Sequence, residues 1–556
     1  MEKARDVHTQ KQRRGMGPPK TFREHFFHTL PEYSGPYSVG TMEVEVPARD
    51  PRTFSHIKRN HVHILRMDTV LFSIYYPCDL SSYSLSRKRP SRATWLPRPR
   101  VPTCRGYAKF LSIPHLPVTG YIAATTMFTK LPAFRNAKLA GGHEVTAEDS
   151  EETLHPTDDP KATFPVVMFS HGLGGSRTCY SAVCGEMASN GFIVVAVEHR
   201  DGSGARSYVN LPPNAKAPGV YDAETTDEDH SYKVDYIFPE DNAQDTSPNN
   251  ARGVDTELRN AQIEMRMAEL EEAHYVLGLI NSGQGNMVYE TNLRRKGNVG
   301  SSSKGLENVD WADWKSRMFL DHVTAMGHSF GAATTVQITR LKDRFPWIGQ
   351  GILLDAWGPA TPILGEATQE PLRKPILAIN SEAFMHWPDN FQRMADICKE
   401  ARTHDAPCWM FTIKGSTHLS QTDFAVLYPQ WMSLLMKTIV NPRRAVYLTI
   451  NSSLEFLNKV LPPQQTLDNI WPAEGILSTK ALSDEDSVPE GFKPAEKWFA
   501  ARLRIPNEFW LRVRRWFRRS PKAPDVATDI NGNPLTGIVN FTPGNEVWMH
   551  CSPRKE

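Results

Sequence analysis

The chain has 556 residues, of which 40% are hydrophobic and 23% are charged, and its 64 basic residues almost balance its 62 acidic ones. This composition is typical of a folded globular protein and excludes a disordered or fibrous one. The formal net charge of +2 argues against a nucleic-acid binder, which would carry a broad basic face. A transmembrane helix needs about 18 or more consecutive apolar residues, and the sequence contains no such run.

The seven cysteines are odd in number, scattered along the chain and without a CxxC pair. This usage indicates free thiols in a reducing compartment rather than a disulfide framework or a zinc site. The N-terminal sequence MEKARDVHTQKQRRGMGPPK is charged and contains no apolar core of the kind that a secretory signal needs. We therefore expect a cytoplasmic protein that uses no metal and no other cofactor.

The first elements in chain order are predicted from their patterns. Residues 1–34 are polar and basic and are expected to form a flexible lead-in. Residues 35–47 and 63–77 alternate in polarity and are rich in β-branched residues, which predicts two antiparallel strands. The segment 107–131 is mostly apolar and is interrupted by two prolines, which predicts short helices.

The middle of the chain alternates between short apolar runs and helical patterns. Strands are predicted at 164–172, 192–204, 322–326, 349–357, 374–384 and 406–418, and helices lie between them, for example at 180–191 and 255–280. Strands that are apolar throughout and alternate with helices predict a parallel sheet covered on both faces. Polar insertions are expected at 205–252 and 282–315, within one domain that spans 35–440.

Beyond residue 440 the pattern weakens, and we expect a C-terminal extension, 441–556, with a helix at 443–460. Within it, NEFWLRVRRWFRR at 507–519 places its aromatic residues on one face and its arginines largely opposite. Such a basic amphipathic helix can lie on an anionic membrane surface. The alternative, which is the commoner case, is a helix that packs its aromatic face on the main domain.

The stretch HVTAMGHSFGAATTV contains the pattern G-x-S-x-G from Gly327 to Gly331, with Ser329 at its centre. In a nucleophile elbow the serine occupies a strained strand-to-helix turn, and the flanking glycines remove the Cβ clashes that this turn would create. Here an apolar run precedes the motif, and small residues follow it. We therefore predict that Ser329 is a nucleophile rather than part of an ordinary glycine-rich turn.

A serine hydroxyl is a weak nucleophile at neutral pH and needs a base that is oriented by an acid. In proteins with a nucleophile elbow of this kind, the acid follows the serine along the chain, and the histidine follows the acid. His418 follows the last strand-like run and is the predicted base. The other downstream histidines, in less favourable settings, are His386, His404 and His550. Asp355 and Glu382 each follow an apolar strand, and the residues alone leave the acid open, although a generic hydrolase favours Glu382.

An oxyanion hole needs two backbone N–H donors that point at the developing negative charge. One usually comes from the residue after the nucleophile, which is Phe330. The other usually comes from a glycine-rich turn after an earlier strand, and SHGLGGSR at 170–177 is such a turn. Leu173 is therefore the second predicted donor.

Taken together, FSHGLGGSRTCYSAVCGEMASNGFIVVAVEHRDGSGA, GHSFGAATTVQ, GILLDAW and GSTHLSQTDF resemble the platelet-activating-factor acetylhydrolases of the plasma and intracellular type II kind, also called group VII phospholipases A2. The resemblance covers about 35–440, and the insertions are similar to those of fungal relatives. It implies an α/β-hydrolase fold, and it implies that the acid is Asp355, in the LDAW motif, rather than Glu382. The base then is His418, and the oxyanion donors are Leu173 and Phe330.

The resemblance also implies a reaction and a partner. The expected reaction is calcium-independent hydrolysis of a short or oxidised sn-2 acyl group of a phospholipid through an acyl-serine intermediate. Contact with a lipid surface is implied for 107–128 and 424–440, for which ordinary core or lid packing is the alternative. Two other functions remain: a broader carboxylesterase or lipase, and a catalytically silent hydrolase scaffold. The silent scaffold is disfavoured because serine, acid and histidine are all present, and a metal hydrolase is disfavoured because no HExxH pattern occurs.

Overall fold

The computed structural model describes residues 28–553, except for 60–61, 82, 84–89, 113, 142–161, 214–229, 249, 302–303, 363–369, 437, 468, 470 and 483–543. Most of the predicted lead-in and the predicted amphipathic helix at 507–519 lie outside the described residues.

The strands are β1 (Ser38–Thr53), β2 (Lys58–Arg59), β3 (Val62–His63), β4 (Arg66–Asp79), β5 (Arg92–Thr94), β6 (Lys130–Arg135), β7 (Lys138–Leu139), β8 (Phe164–Ser170), β9 (Ile193–Val197), β10 (Arg206–Asn210), β11 (Ser231–Asp235), β12 (Met318–His328), β13 (Ile348–Leu354), β14 (Ile376–Ser381), β15 (Cys408–Ile413) and β16 (Val547–Cys551). The helices are α1 (Arg100–Phe110), α2 (His115–Thr126), α3 (Ser181–Ser189), α4 (Thr256–Asn281), α5 (Gly285–Thr291), α6 (Phe330–Arg340), α7 (Glu382–Met385), α8 (Pro388–Thr403), α9 (Asp423–Leu427), α10 (Pro429–Met436) and α11 (Pro442–Val460).

A twelve-stranded sheet organises the described part of the chain, in the order β16-β15-β14-β13-β12-β8-β9-β4-β1-β6-β5, with β7 paired to β4. The six strands from β15 to β9 in this order run parallel to one another. The predicted antiparallel pair is confirmed as β1 and β4, and β4 is also antiparallel to β9. This mostly parallel sheet flanked by helices has the α/β-hydrolase fold, as predicted.

The core lies on both faces of the sheet because the central strands β8 and β9 are buried at every position. In β8, Val167 and Phe169 belong to the core on one face, whereas Val166 and Met168 belong to the core on the other. Helix α3 packs into the first core, and α4 packs into the second. Each such fully buried side chain contributes about 1.5–3 kcal/mol relative to an exposed one, so the strand is held from both sides.

The two predicted insertions are tied to the sheet by one buried carboxylate, Glu45 on β1. Its oxygens accept hydrogen bonds from Arg200 at 2.5 Å and from the Asn210 side chain at 2.7 Å. Arg294, from the second insertion, approaches the same carboxylate to 2.9 Å. These cations lower the pKa of Glu45 against the opposing effect of burial. The first insertion contains the hairpin β10–β11 and the second contains α5.

In the described residues, two elements after residue 440 contact the sheet. Helix α11 packs on the sheet, where Phe456 lies edge-on to Trp409 of β15 with ring centroids 5.7 Å apart. Strand β16 then pairs antiparallel with β15 and forms one edge of the sheet. Strand β16 has only five residues, too few to show a periodic pattern, which explains why it escaped prediction.

Candidate active site

The predicted elbow lies between β12 and α6. Ser329 has φ +58° and ψ −118°, a strained conformation for a residue with a side chain. A Cβ at Gly331 would lie 2.0 Å from the main-chain oxygen of Ser170, and one at Gly327 would lie 2.3 Å from that of Gly331. Both glycines are therefore required by the close approach of α6 to the sheet, as the motif predicts.

The structure brings Ser329, His418 and Asp355 together at the carboxyl ends of three parallel strands. The Nε2 atom of His418 lies 2.9 Å from Ser329 Oγ, and its Nδ1 atom lies 2.7 Å from Asp355 Oδ2. All three side chains are buried. A carboxylate oxygen can only accept, so Nδ1 carries the proton, and Nε2 is free to accept the serine proton.

Asp355 is held in place from its other side. Its Oδ1 atom accepts the main-chain N–H of Ser381 at 2.6 Å, and its Oδ2 atom accepts the Ser381 hydroxyl at 2.8 Å. The ring of Phe384 stacks on His418 with centroids 4.2 Å apart and planes 7° apart. The acid and the base thus each have one hydrogen-bonded or stacked support that fixes their orientation.

Glu382, the generic alternative for the acid, is used elsewhere. It accepts a hydrogen bond from the main-chain N–H of Gly415 at 2.5 Å, so it supports the loop that leads to His418. The other downstream histidines lie apart from the serine: His386 faces Glu382, His404 bonds the carbonyl of Glu400, and His550 bonds Thr412.

The two predicted oxyanion donors lie in the turn after β8 and at the start of α6. Phe330 occupies the first position of α6, where a main-chain N–H has no acceptor within the helix. In the turn after β8, the N–H groups of Gly172, Gly174 and Gly175 donate to the Tyr180 hydroxyl, the Ser203 carbonyl and the Gly172 carbonyl, respectively. The Leu173 N–H has no acceptor among the described residues, which is consistent with its predicted role.

The sequence did not predict that a chain of hydrogen bonds links the oxyanion turn to the base. Gly172 donates to the Tyr180 hydroxyl, which lies 2.9 Å from His328 Nδ1. The His328 Nε2 atom lies 2.9 Å from the main-chain carbonyl of His418, so Nε2 donates and Nδ1 accepts from Tyr180. Burial lowers the pKa of His328 well below its usual value, so this ring stays neutral. Its position inside G-x-S-x-G is the one signal that pointed to it.

Two groups of potential metal ligands lie among the described residues. One group is His328, Asp355 and His418, whose ring nitrogens already have protein partners. The other is Cys398, Cys408 and Cys551, three thiols buried in the apolar core beside α8. Hydrogen bonds to Cys408 and Cys551, together with burial, raise the pKa of Cys398. The Cys408 pKa is lowered by its hydrogen bond with Cys398 but raised overall by Cys551 and burial, so thiolates are disfavoured at both positions. The expectation of no metal stays a prediction.

The sheet topology, the strained serine after β12 and the hydrogen-bonded Ser–His–Asp arrangement define the class to which this chain belongs. It is an α/β-hydrolase-fold protein with the geometry of a serine-nucleophile site.

Comparisons with known proteins narrow that class. The family profile described as platelet-activating factor acetylhydrolase, isoform II, matches residues 24–473. A platelet-activating factor acetylhydrolase of Gallus gallus is 32% identical over 56% of this chain, and this match spans 65% of that protein, just under two thirds of its length. One of Canis lupus familiaris is 27% identical over 84% of this chain and 87% of its own length.

A Schizosaccharomyces pombe protein named for a phospholipase A2 is 26% identical over 77% of this chain and 92% of its own length. The family profile covers most of the chain. The chain therefore belongs to the isoform II family of platelet-activating factor acetylhydrolases, as its motifs predicted.

Proposed function

We propose that the protein is a calcium-independent serine hydrolase that removes a short or oxidised sn-2 acyl group, such as acetyl, from phospholipids. The supporting observation is that His418 is hydrogen-bonded to both Ser329 and Asp355. Its Nε2 atom lies 2.9 Å from Ser329 Oγ, and its Nδ1 atom lies 2.7 Å from Asp355 Oδ2. The names of the curated relatives support the substrate class. A base that is oriented by an acid can activate a serine hydroxyl as a nucleophile without a metal.

The proposed reaction has two steps. Ser329 Oγ attacks the sn-2 carbonyl carbon while His418 Nε2 takes its proton, and the N–H groups of Leu173 and Phe330 stabilise the oxyanion. The bond to the sn-2 oxygen breaks, His418 returns the proton to that oxygen, and a lysophospholipid leaves. Water then attacks the acyl-serine with His418 as base, which releases the carboxylic acid and restores Ser329.

The test compares the wild type with Ser329→Ala in the presence of a calcium chelator. The substrates are phosphatidylcholines with an sn-2 acetyl group or an sn-2 long acyl chain, and a water-soluble acetate ester. We expect acetate release from the acetyl phospholipid, little cleavage of the long chain, and no activity in the variant. Faster cleavage of the soluble ester or the long chain would support the broader carboxylesterase or lipase instead. Absence of hydrolysis in both proteins would support a silent scaffold.

We also propose that the protein meets its lipid through α2 and α10, which lie within the segments 107–128 and 424–440. Six of the ten large apolar side chains that are exposed in the described residues lie on or beside α1, α2 and α10, and Leu116 is 83% exposed. Trp431 of α10 donates to the Tyr121 hydroxyl of α2 at 2.7 Å, so the two segments form one surface. Exposed apolar side chains of this density are typical of interfacial binding.

Cations accompany this surface. The pKa of Lys130 on β6 is lowered by burial and by Arg100, Arg135 and Arg98, so these three cations act on it. Arg135 also faces Glu43 at 3.8 Å. Such a group of cations favours an anionic lipid surface. Among the described residues, no helix is both long enough and apolar enough to cross a membrane. We propose a peripheral contact, and the burial of all seven cysteines, none of which forms a disulfide, supports the proposed cytoplasmic location.

The test of the lipid surface uses Leu116→Ser with Trp431→Ser. The control is Met287→Ser with Tyr289→Ser, which are also exposed but lie on α5. We expect the first variant to lose binding to phosphatidylcholine vesicles that contain an anionic lipid, and to keep its activity on a soluble acetate ester. Equal vesicle binding by both variants would contradict the proposed surface.

A further inference from the structure

Arg266 of α4 is a fully buried cation that the proposed reaction does not use directly. Its Nε atom donates to Asp201 Oδ2 at 2.7 Å, and its Nη2 atom donates to the Ser203 hydroxyl at 2.5 Å. Its Nη1 atom donates to the main-chain carbonyl of His171 at 2.8 Å and lies 3.3 Å from Ser170 Oγ. The guanidinium group therefore binds directly to the turn after β8 that contains Leu173.

The contacts of Arg266 flank Leu173 on both sides. On the N-terminal side, Arg266 holds the His171 carbonyl directly. On the C-terminal side, it holds Ser203, whose main-chain carbonyl accepts the N–H of Gly174 at 2.7 Å. These bonds restrict rotation of the peptide planes before and after the one that carries the Leu173 N–H.

The peptide plane of the Leu173 N–H is itself fixed by His171. The His199 N–H donates to His171 Nε2 at 3.0 Å, so Nδ1 carries the proton and donates to the Gly172 carbonyl at 2.9 Å. Burial and the Arg266 cation lower the pKa of His171 to about 4, which keeps this tautomer neutral. In a trans peptide the N–H points opposite to its carbonyl, so this bond sets the direction of the Leu173 N–H.

Arg266 also contacts the residue that supplies the other donor. Its guanidinium carbon lies 4.4 Å from the centroid of the buried Phe330 ring, within the range of a cation–π interaction. Leu173 and Phe330 belong to different elements, the turn after β8 and the start of α6. The Arg266 side chain, which comes from a third element, α4, therefore contacts both the turn that contains Leu173 and the ring of Phe330.

We propose that Arg266 is a positioning residue that sets the spacing of the two oxyanion donors, Leu173 and Phe330. This proposal rests on the proposed function, because it assigns both N–H groups to the developing oxyanion. Loss of a single oxyanion donor typically lowers kcat by about 100- to 1,000-fold. Because displaced donors keep part of their effect, we expect a smaller loss of about 10- to 100-fold when Arg266 is altered.

The test compares Arg266→Lys with Arg340→Lys. Lysine keeps the charge beside Asp201, which protects folding, but it cannot bond Asp201, Ser203 and His171 in one fork. Arg340 is a matched control, because it is also fully buried and pairs with Glu400 at 2.5 Å, at the far end of α6. The readouts are kcat and KM on a soluble acetate ester, the rate of Ser329 labelling by a fluorophosphonate, and the unfolding temperature.

We expect Arg266→Lys to lower kcat and the labelling rate by about 10- to 100-fold with KM changed less than about threefold. Arg340→Lys should lower the unfolding temperature to a similar degree and leave kcat within about twofold. If Arg266→Lys and Arg340→Lys had equal kcat values, the positioning role of Arg266 would be overturned, whereas the proposed function would stand. A wild type without Ser329-dependent hydrolysis or labelling would overturn the proposed function and this proposal with it.

Discussion

The Nε2 atom of His328 donates a hydrogen bond to the main-chain carbonyl of His418 at 2.9 Å. The residue that precedes the elbow serine thus holds the turn that carries the base. His328→Gln keeps a side-chain N–H that can reach this carbonyl, whereas His328→Leu does not. We expect kcat on a soluble ester to fall about fivefold in the leucine variant and less in the glutamine variant, since one hydrogen bond contributes about 1 kcal/mol. Equal losses in both variants would contradict this role.

Ser381 supports the acid through two hydrogen bonds, one from its N–H and one from its hydroxyl. Its hydroxyl also accepts the Phe384 N–H at 3.2 Å and so caps α7. Ser381→Ala removes the hydroxyl contacts and keeps the main-chain bond. We expect the free energy of unfolding to fall by about 1 kcal/mol and kcat to fall several-fold, about three to ten times, as measured by urea unfolding and ester hydrolysis. Ser381→Thr, which keeps the hydroxyl, should retain more of both.

Gly331 and Gly278 provide a matched pair of helical glycines. A Cβ at Gly331 would meet the main-chain oxygen of Ser170 at 2.0 Å, whereas a Cβ at Gly278 in α4 has no atom within 4 Å. A main-chain atom cannot relieve this clash by a change of rotamer, as a side chain could. Gly331→Ala should therefore displace α6 and lower kcat by more than about 100-fold. Gly278→Ala should raise the free energy of unfolding by about 0.5–1 kcal/mol and leave kcat unchanged. An active Gly331→Ala protein would refute the close approach.

His550 of β16 provides a test of acid sensitivity away from the active site. Burial lowers its pKa to about 4, and its Nε2 atom lies 2.8 Å from Thr412 Oγ1. Between about pH 6.5 and 4 the unfolded chain binds this proton and the folded chain does not, so stability rises with pH in that window. Acidification from pH 7 to pH 5 should therefore cost about 2 kcal/mol through this group.

The variant His550→Gln keeps a side-chain partner for Thr412 but does not titrate. We expect its urea midpoint to fall less between pH 7 and pH 5 than that of the wild type. The remaining loss should include His171, whose pKa is lowered in the same direction. A pH dependence identical to that of the wild type would show that His550 is not held neutral in the folded protein.

The sequence allowed prediction of those site residues that local patterns mark. Ser329 lies in a turn that needs glycines on both sides, and His418 and Leu173 follow apolar strands. The choice of Asp355 as the acid depends on the family resemblance alone, because Glu382 also follows a strand. Only the three-dimensional path of the loops distinguishes these two carboxylates. The structure shows Glu382 bound to the Gly415 N–H instead.

The supports of the site escaped prediction because they depend on contacts between distant parts of the chain. Arg266 meets Asp201 across 65 residues, and Tyr180 meets His328 across 148. In the sequence, Arg266 is one of several charged residues on a long amphipathic helix, and no local pattern predicts that it is buried. Helical periodicity indicates which face of a helix is apolar, but it does not indicate that Arg266 pairs with a buried carboxylate in the loop after β9.

The position of β16 has a consequence for synthesis of the chain. Ile413 of β15 pairs with Val547, and the neighbouring Lys414 N–H donates to the Glu546 carbonyl at 2.9 Å. A ribosome makes Ser329, Asp355 and His418 well before it makes these pairing partners. Until β16 emerges from the ribosome, the outer side of β15 is an unpaired strand edge, which is a template for pairing with other chains. A nonsense change shortly before residue 546 would keep the whole catalytic set, and its main effect should be aggregation of the newborn protein.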